Sequence, residues 1–124
     1  MIGYVTVGTN DMERATAFYD ALAKELDTPR MMDFPGFIVW GRPDAFGGFA
    51  LAKPHDKQPA TVGNGVMVAF AAKDKAQVDR IYAIARENGA TCEGPPGPRS
   101  DTYYAAYFRD LDGNKLCVYR TGPE

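Results

Sequence analysis

YVTVGTNDMERATAFYD (residues 4–20) decides the fold, because the chain repeats its pattern further on. Moved along by 63 positions, it falls on MVAFAAKDKAQVDRIYA (residues 67–83). Tyr4 meets Met67, Asp11 meets Asp74, Phe18 meets Ile81 and Tyr19 meets Tyr82. Each copy opens with a short apolar run, passes a helix start and continues into an amphipathic helix. A repeat of about half the chain predicts two copies of one supersecondary unit packed on each other. The seam between them is where a ligand is expected.

In the first copy Val5 and Val7 share one face of a strand, and Tyr4 and Thr6 share the other. Asn10 or Asp11 caps the helix, Asn10 with Glu13 fitting a capping box. Ala15, Phe18, Leu22 and Leu26 then make an apolar stripe. Residues 37–41 and 48–53 read as strands, with a loop at 42–47. In the second copy 66–71 is the strand. Asp74 with Gln77 again fits a capping box, Val78, Ile81, Tyr82 and Ala85 make the stripe, and Gly89 sits at the helix end. GPPGPRSD (94–101) is too rich in Pro and Gly for regular structure. Residues 103–109 and 115–120 are strands, and Asp112-Gly113 between them is a hairpin turn signal. The order is βαβββ, twice. The expected class is α+β, with two βαβββ modules forming a curved mixed sheet, helices outside and a concave cavity within. The 124 residues fit one domain (1–124), with module one at about 1–54, a polar linker at 55–64 and module two at about 65–120.

Composition narrows the function. A net charge of -2 gives no basic footprint for nucleic acid. No apolar run approaches the roughly 20 residues that span a bilayer. Met1 leads into a strand-like segment without a signal pattern, and two cysteines make no disulfide framework, so the cytoplasm is the expected compartment.

YVTVG at 4–8, NDMER at 10–14 and AFYD at 17–20 resemble the opening of the vicinal oxygen chelate superfamily, the glyoxalase, bleomycin-resistance and extradiol-dioxygenase group. YFRDLDGNKL (107–116) is similar to its closing hairpin. The resemblance covers nearly the whole chain. It implies a metal site with a His early in the first strand of a copy and a Glu in the last strand. Here those positions hold Tyr4 and Met67, with Cys117 after the closing hairpin and Ala50 or Ala52 as its counterpart. A catalytic divalent ion wants about three His or carboxylate ligands, and the chain has one His, His55, in the linker. No metal and no cofactor are therefore expected.

The candidate site residues follow from strand alternation. Tyr4 and Thr6 point into the trough, and the Tyr4 hydroxyl is a candidate donor or general acid; a packed aromatic is the plainer reading. Cys117 shares a side with Lys115 and Tyr119. It is a candidate nucleophile if a cation depresses its pKa, and otherwise a small filler. Met67 is pocket lining. Tyr103 and Tyr107 share parity with Ala105 and Arg109, so the tyrosines would stack on a ligand while Arg109 pairs with an anion. Trp40 would flank the cavity, and Arg99 would close over it from the 94–101 loop. Asp110, Asp112, Gly113 and Asn114 are assigned to turn chemistry.

Three functions compete. The first is a metal-free protein that binds a small organic molecule, expected to be a homodimer. The second is a glyoxalase-like lyase or isomerase in which, where no metal is bound, Tyr4, His55, Cys117 or an arginine takes its place, with Tyr4 and Cys117 the catalytic candidates. The third is an interaction or regulatory module with a closed cavity.

Overall fold

A computed structural model describes residues 1–123. The order is β1 (Tyr4–Gly8), α1 (Met12–Glu25), β2 (Arg30–Phe34), β3 (Phe37–Gly41), β4 (Gly48–Ala52), β5 (Val68–Ala71), α2 (Lys75–Glu87), β6 (Thr91–Ser100), β7 (Tyr103–Arg109) and β8 (Lys115–Thr121). This is βαβββ twice, and the α+β reading holds. The strands form two four-stranded sheets, β1-β4-β3-β2 and β5-β8-β7-β6, in place of one continuous surface. In each, the first strand runs parallel to the last and the other pairs are antiparallel.

The helices start where short polar side chains replace missing backbone partners. Asp11 caps α1 by accepting from the Arg14 amide at 3.1 Å. The expected Asn10 box gives way to this cap, and Asn10 instead clamps the linker at Ala60, accepting its N–H at 2.7 Å and donating to its carbonyl at 3.1 Å. Asp74 caps α2 through the Gln77 amide at 2.7 Å. Gln77 answers by accepting from Lys73 N and donating to the Glu25 carbonyl, both at 2.9 Å, which ties α2 to the end of α1.

The apolar stripes of both helices meet in one core. Phe18 and Leu22 of α1, Val78 and Ile81 of α2, Leu51 of β4 and Phe108 and Leu116 of the second sheet are all buried in it. Each such side chain contributes about 1.5–3 kcal/mol by leaving water. α1 contacts α2 and β4, and α2 contacts β6, β7 and β8. Each sheet therefore turns one face to the helices and leaves the other open. Among the described residues no helix is long and apolar enough to cross a membrane.

Two strands correct the sequence reading. Arg30–Phe34 forms β2, the strand that the βαβββ order requires but to which the sequence reading assigned no residues. The segment 94–101, expected to be irregular, lies mostly within the ten-residue β6. β6 is a sheet edge, and its register slips between Cys92 and Gly94, Gly94 and Gly97, and Pro98 and Ser100. An edge strand with bulges tolerates prolines that have no N–H to give.

Candidate functional site

The site residues fall on three surfaces. The open face of the first sheet is set by register: Tyr4 lies opposite Gly48, Thr6 and Val39 opposite Ala50, and Phe37 opposite Ala52. Val39 and Ala50 are buried yet stand outside the helix-side core, as this facing requires. Tyr4 is 59% exposed. With Met31, Met32, Phe37, Val39 and Phe46 it lines a cleft of about 260 Å³. Among the described residues no charged side chain lines this cleft.

The open face of the second sheet is richer in chemistry. Tyr107 pairs with Cys117, Ala105 with Tyr119 and Arg109 with Lys115 across β7 and β8, so all six share one side. The Tyr103 and Tyr119 rings stack with centroids 5.6 Å apart. The Tyr103 hydroxyl sits 3.6 Å from the Cys117 sulfur. Ala105 and Cys117 are fully buried and small, and they make the floor. Arg99 reaches in from β6, its guanidinium 5.4 Å from the centre of the Tyr107 ring, anchored by donation to the Gly97 and Pro95 carbonyls at 2.9 and 2.7 Å. The Lys115 ammonium lies 5.7 Å from the same ring. Arg109 donates to Glu93 at 2.5 Å and to the Gly113 carbonyl at 3.1 Å.

Protonation follows from burial. Burial pushes the Cys117 thiol up, against the smaller opposing pull of Tyr103, Arg99 and Lys115. The Tyr103 phenol is also pushed up, first by burial and then by its bond to Cys117. At neutral pH both groups keep their protons, so the floor offers neutral polar groups and no thiolate. That environment opposes the nucleophile reading of Cys117.

Trp40 belongs to neither open face. It is 3% exposed on the helix side of β3, with its indole N–H donating to Asp20 at 2.9 Å. With Tyr19, Phe46, Phe49, Met67 and Phe70 it lines a groove of about 750 Å³ along β5. The structure thus brings together Tyr103, Tyr107, Arg109 and Cys117. It places Tyr4 and Thr6 on the other sheet, and it sets Trp40 and Met67 in the groove. His55 is exposed in the linker. Asp110 is the buried centre of the β7–β8 turn, as its turn assignment implies. Its carboxylate accepts from Asp112 N at 2.9 Å, Asn114 N at 2.8 Å, the Asn114 side chain at 2.9 Å, and the Tyr19 hydroxyl.

Three contributors escaped the candidate set. Lys115 and Tyr119 were visible in the same alternation that marked Cys117. Glu93, which neutralises Arg109, was not visible, because it precedes a stretch read as irregular. Among the described residues no group of three or more His, Cys, Asp or Glu side chains is gathered in space.

Residues 1–118 match the model of the glyoxalase/bleomycin resistance protein/dioxygenase superfamily. A glyoxalase/bleomycin resistance protein from Albidiferax ferrireducens T118 is 41% identical, with 98% of this chain and 99% of that one covered and a TM-score of 0.91. The antibiotic binding protein TnmS3 from Streptomyces sp. CB03234 has a TM-score of 0.67 at 21% identity, covering 98% and 96%. A glyoxalase-related enzyme from Fulvimarina pelagi has a TM-score of 0.75 at 16% identity, covering 96% and 86%. No curated protein matches the chain.

Proposed function

The chain belongs to the glyoxalase/bleomycin resistance protein/dioxygenase superfamily, and on that premise we propose that it binds a small organic molecule on the open face of β5–β8. A second copy of the chain closes the site with its β1–β4 face. The observation that carries this reading is the tyrosine-lined face over a floor of Ala105 and Cys117. Aromatic walls with a few convergent polar groups are what small-molecule sites usually present. TnmS3, an antibiotic binding protein, is built on the same fold.

The second copy follows from what one chain leaves bare. Tyr4, Met31, Met32, Phe34 and Phe46 are large and exposed on or beside the first sheet. Clustered exposed apolar side chains mark surfaces that another body covers. β1 and β5 are both sheet edges with no strand on their outer side, and bare edges invite pairing. A twofold dimer would cover both at once and set each apolar face over its neighbour's tyrosines.

The donors at the family's metal positions do not fit a hard divalent ion. Ala50 has no donor atom, Met67 offers only a thioether, and Cys117 keeps its proton through burial. These positions therefore lack the donor set that a hard divalent ion requires. Binding proceeds by stacking on the tyrosines, while the Tyr103 and Cys117 groups hydrogen-bond a polar edge of the guest. The lyase alternative needs Tyr4, His55, Cys117 or an arginine in place of the metal, and burial, which keeps the Cys117 thiol protonated, weighs against one of these.

Thermal unfolding of EDTA-treated protein across divalent metals, glutathione adducts of 2-oxoaldehydes and aromatic compounds tests the proposal. A guest that binds only the folded state raises the midpoint by mass action. The expected outcome is a rise with an aromatic compound and no metal. A rise with Ni, Zn, Mn or Fe would restore the metal-dependent lyase or dioxygenase, and silence throughout would transfer the weight to the interaction module.

A further inference from the structure

We propose that the guest of the β5–β8 face is a planar aromatic acid, its ring against the tyrosines of β7 and β8 and its anionic group on Lys115 and Arg99. This rests on the binding reading above and adds the chemical class.

The charges on this face do not balance. Among the described residues, Arg99, Arg109 and Lys115 stand against one carboxylate, Glu93. Arg109 already uses that carboxylate at 2.5 Å. Lys115 lies close enough to help hold Glu93 ionised, but the Arg109 bond dominates. Neither Lys115 nor Arg99 makes an ion pair among the described residues. Both nonetheless gather at the Tyr107 ring, 5.7 and 5.4 Å from its centre. Two cations held at one ring repel each other, and a shared anion relieves that repulsion. Both also favour the ionised form of Cys117, which places their field at the floor of the face.

Arg99 is prepared for the task. The Gly97 and Pro95 carbonyls fix its guanidinium, using one N–H on each terminal nitrogen. Little side-chain freedom remains to be lost when an anion arrives. Charge-assisted hydrogen bonds are about twice as strong as neutral ones, so the anion decides affinity while the ring decides fit. The first sheet's cleft, which would form the opposing wall, carries no carboxylate among the described residues. Its Tyr4, Phe37 and Val39 suit the ring of the guest.

The test is calorimetric titration at low salt with 2-naphthoate and its neutral isostere 2-naphthamide. Both are added to the wild type and to the Arg99→Gln, Lys115→Gln double variant. Arg99 is exposed and Lys115 half-buried, and a thermal melt checks that the variant folds. The expected result is naphthoate binding at least about tenfold more tightly than naphthamide. That ratio should fall to near one in the double variant and shrink as salt is raised. Naphthamide binding as tightly as naphthoate in the wild type, or an undiminished ratio in the variant, overturns the aromatic-acid assignment and leaves the binding reading standing. Binding of neither compound at millimolar concentration overturns both.

Discussion

The two modules share one plan and finish it with different residues. Each helix ends in the same pair of bonds. In α2, Ala90 N reaches the Ala85 carbonyl at 2.9 Å and Gly89 N reaches Arg86 at 3.2 Å. In α1, Thr28 N reaches Ala23 at 2.9 Å and Asp27 N reaches Lys24 at 3.1 Å. Gly89 takes the left-handed turn without strain, whereas Asp27 takes it at φ +51° with a Cβ in place. The loops between the last two strands differ more. The first, at 42–47, is held by the exposed Arg42–Asp44 pair. The second is organised by Asp110, 5% exposed and bound to α1 through Tyr19. The repeat therefore conserves shape at the helix ends, while the lock between modules was built into one copy only.

The sharpest way to break this comparison is to remove both loop carboxylates in turn. Asp110→Ala leaves the Tyr19 hydroxyl and two turn amides without their acceptor and should cost about 3 kcal/mol. Asp44→Ala, on an exposed pair, should leave stability nearly unchanged. Urea melts of the two variants measure both, and equal losses would refute the asymmetry. Next in size is Gly89→Ala. A Cβ there would meet Leu111 at 2.7 Å on top of the positive φ, so about 2 kcal/mol should be lost. The mirror change, Asp27→Gly, should gain up to about 1 kcal/mol by relieving the same conformation. A lower midpoint for Asp27→Gly would mean that the distant Arg42 contact at 3.5 Å matters more than strain.

The smallest effect separates the two open faces by pH. The ordinary thiol value is 9.0, and burial raises that of Cys117 in the folded chain. The unfolded chain releases this proton first. The Cys117 contribution is intact below about pH 8 and is lost as pH climbs through the raised value. Cys117→Ala should flatten the fall in stability between roughly pH 8 and 10. Thr6→Ala, on the other face, removes no titrating group and should leave that slope unchanged. A wild-type slope in Cys117→Ala would assign the loss to other groups.

What could be read from the residues depended on how strictly each strand alternates. β7 and β8 alternate without interruption, so the grouping of Tyr103, Tyr107, Arg109 and Cys117 was legible. β3 is buried at Ile38, Val39 and Trp40 alike, so alternation gives Trp40 no facing. Only its pairing with Phe49 puts it on the helix side. β2 exposes all five of its residues and offers no pattern to detect. β6 hid behind its prolines. The repeat itself drifts, matching Val5 to Val68 at the start of each module but Phe49 to Leu116 near its end. The offset grows from 63 to 67, and one fixed shift cannot align both halves. That only one loop carries a buried carboxylate was visible as Asp110 in the turn. Its reach to Tyr19 is a tertiary fact that local chemistry does not predict.

The Tyr19–Asp110 bond spans 91 positions of chain. During synthesis at about 5–20 residues per second, α1 waits roughly 5–18 s for its partner to emerge. Through that interval the nascent first module has its apolar strands and no latch. Contacts this distant in sequence also slow spontaneous folding, because the loop must close before the bond rewards it. The turn that locks the two modules is thus made well after the helix it holds, and a nascent chain lacks this latch until residue 110 appears.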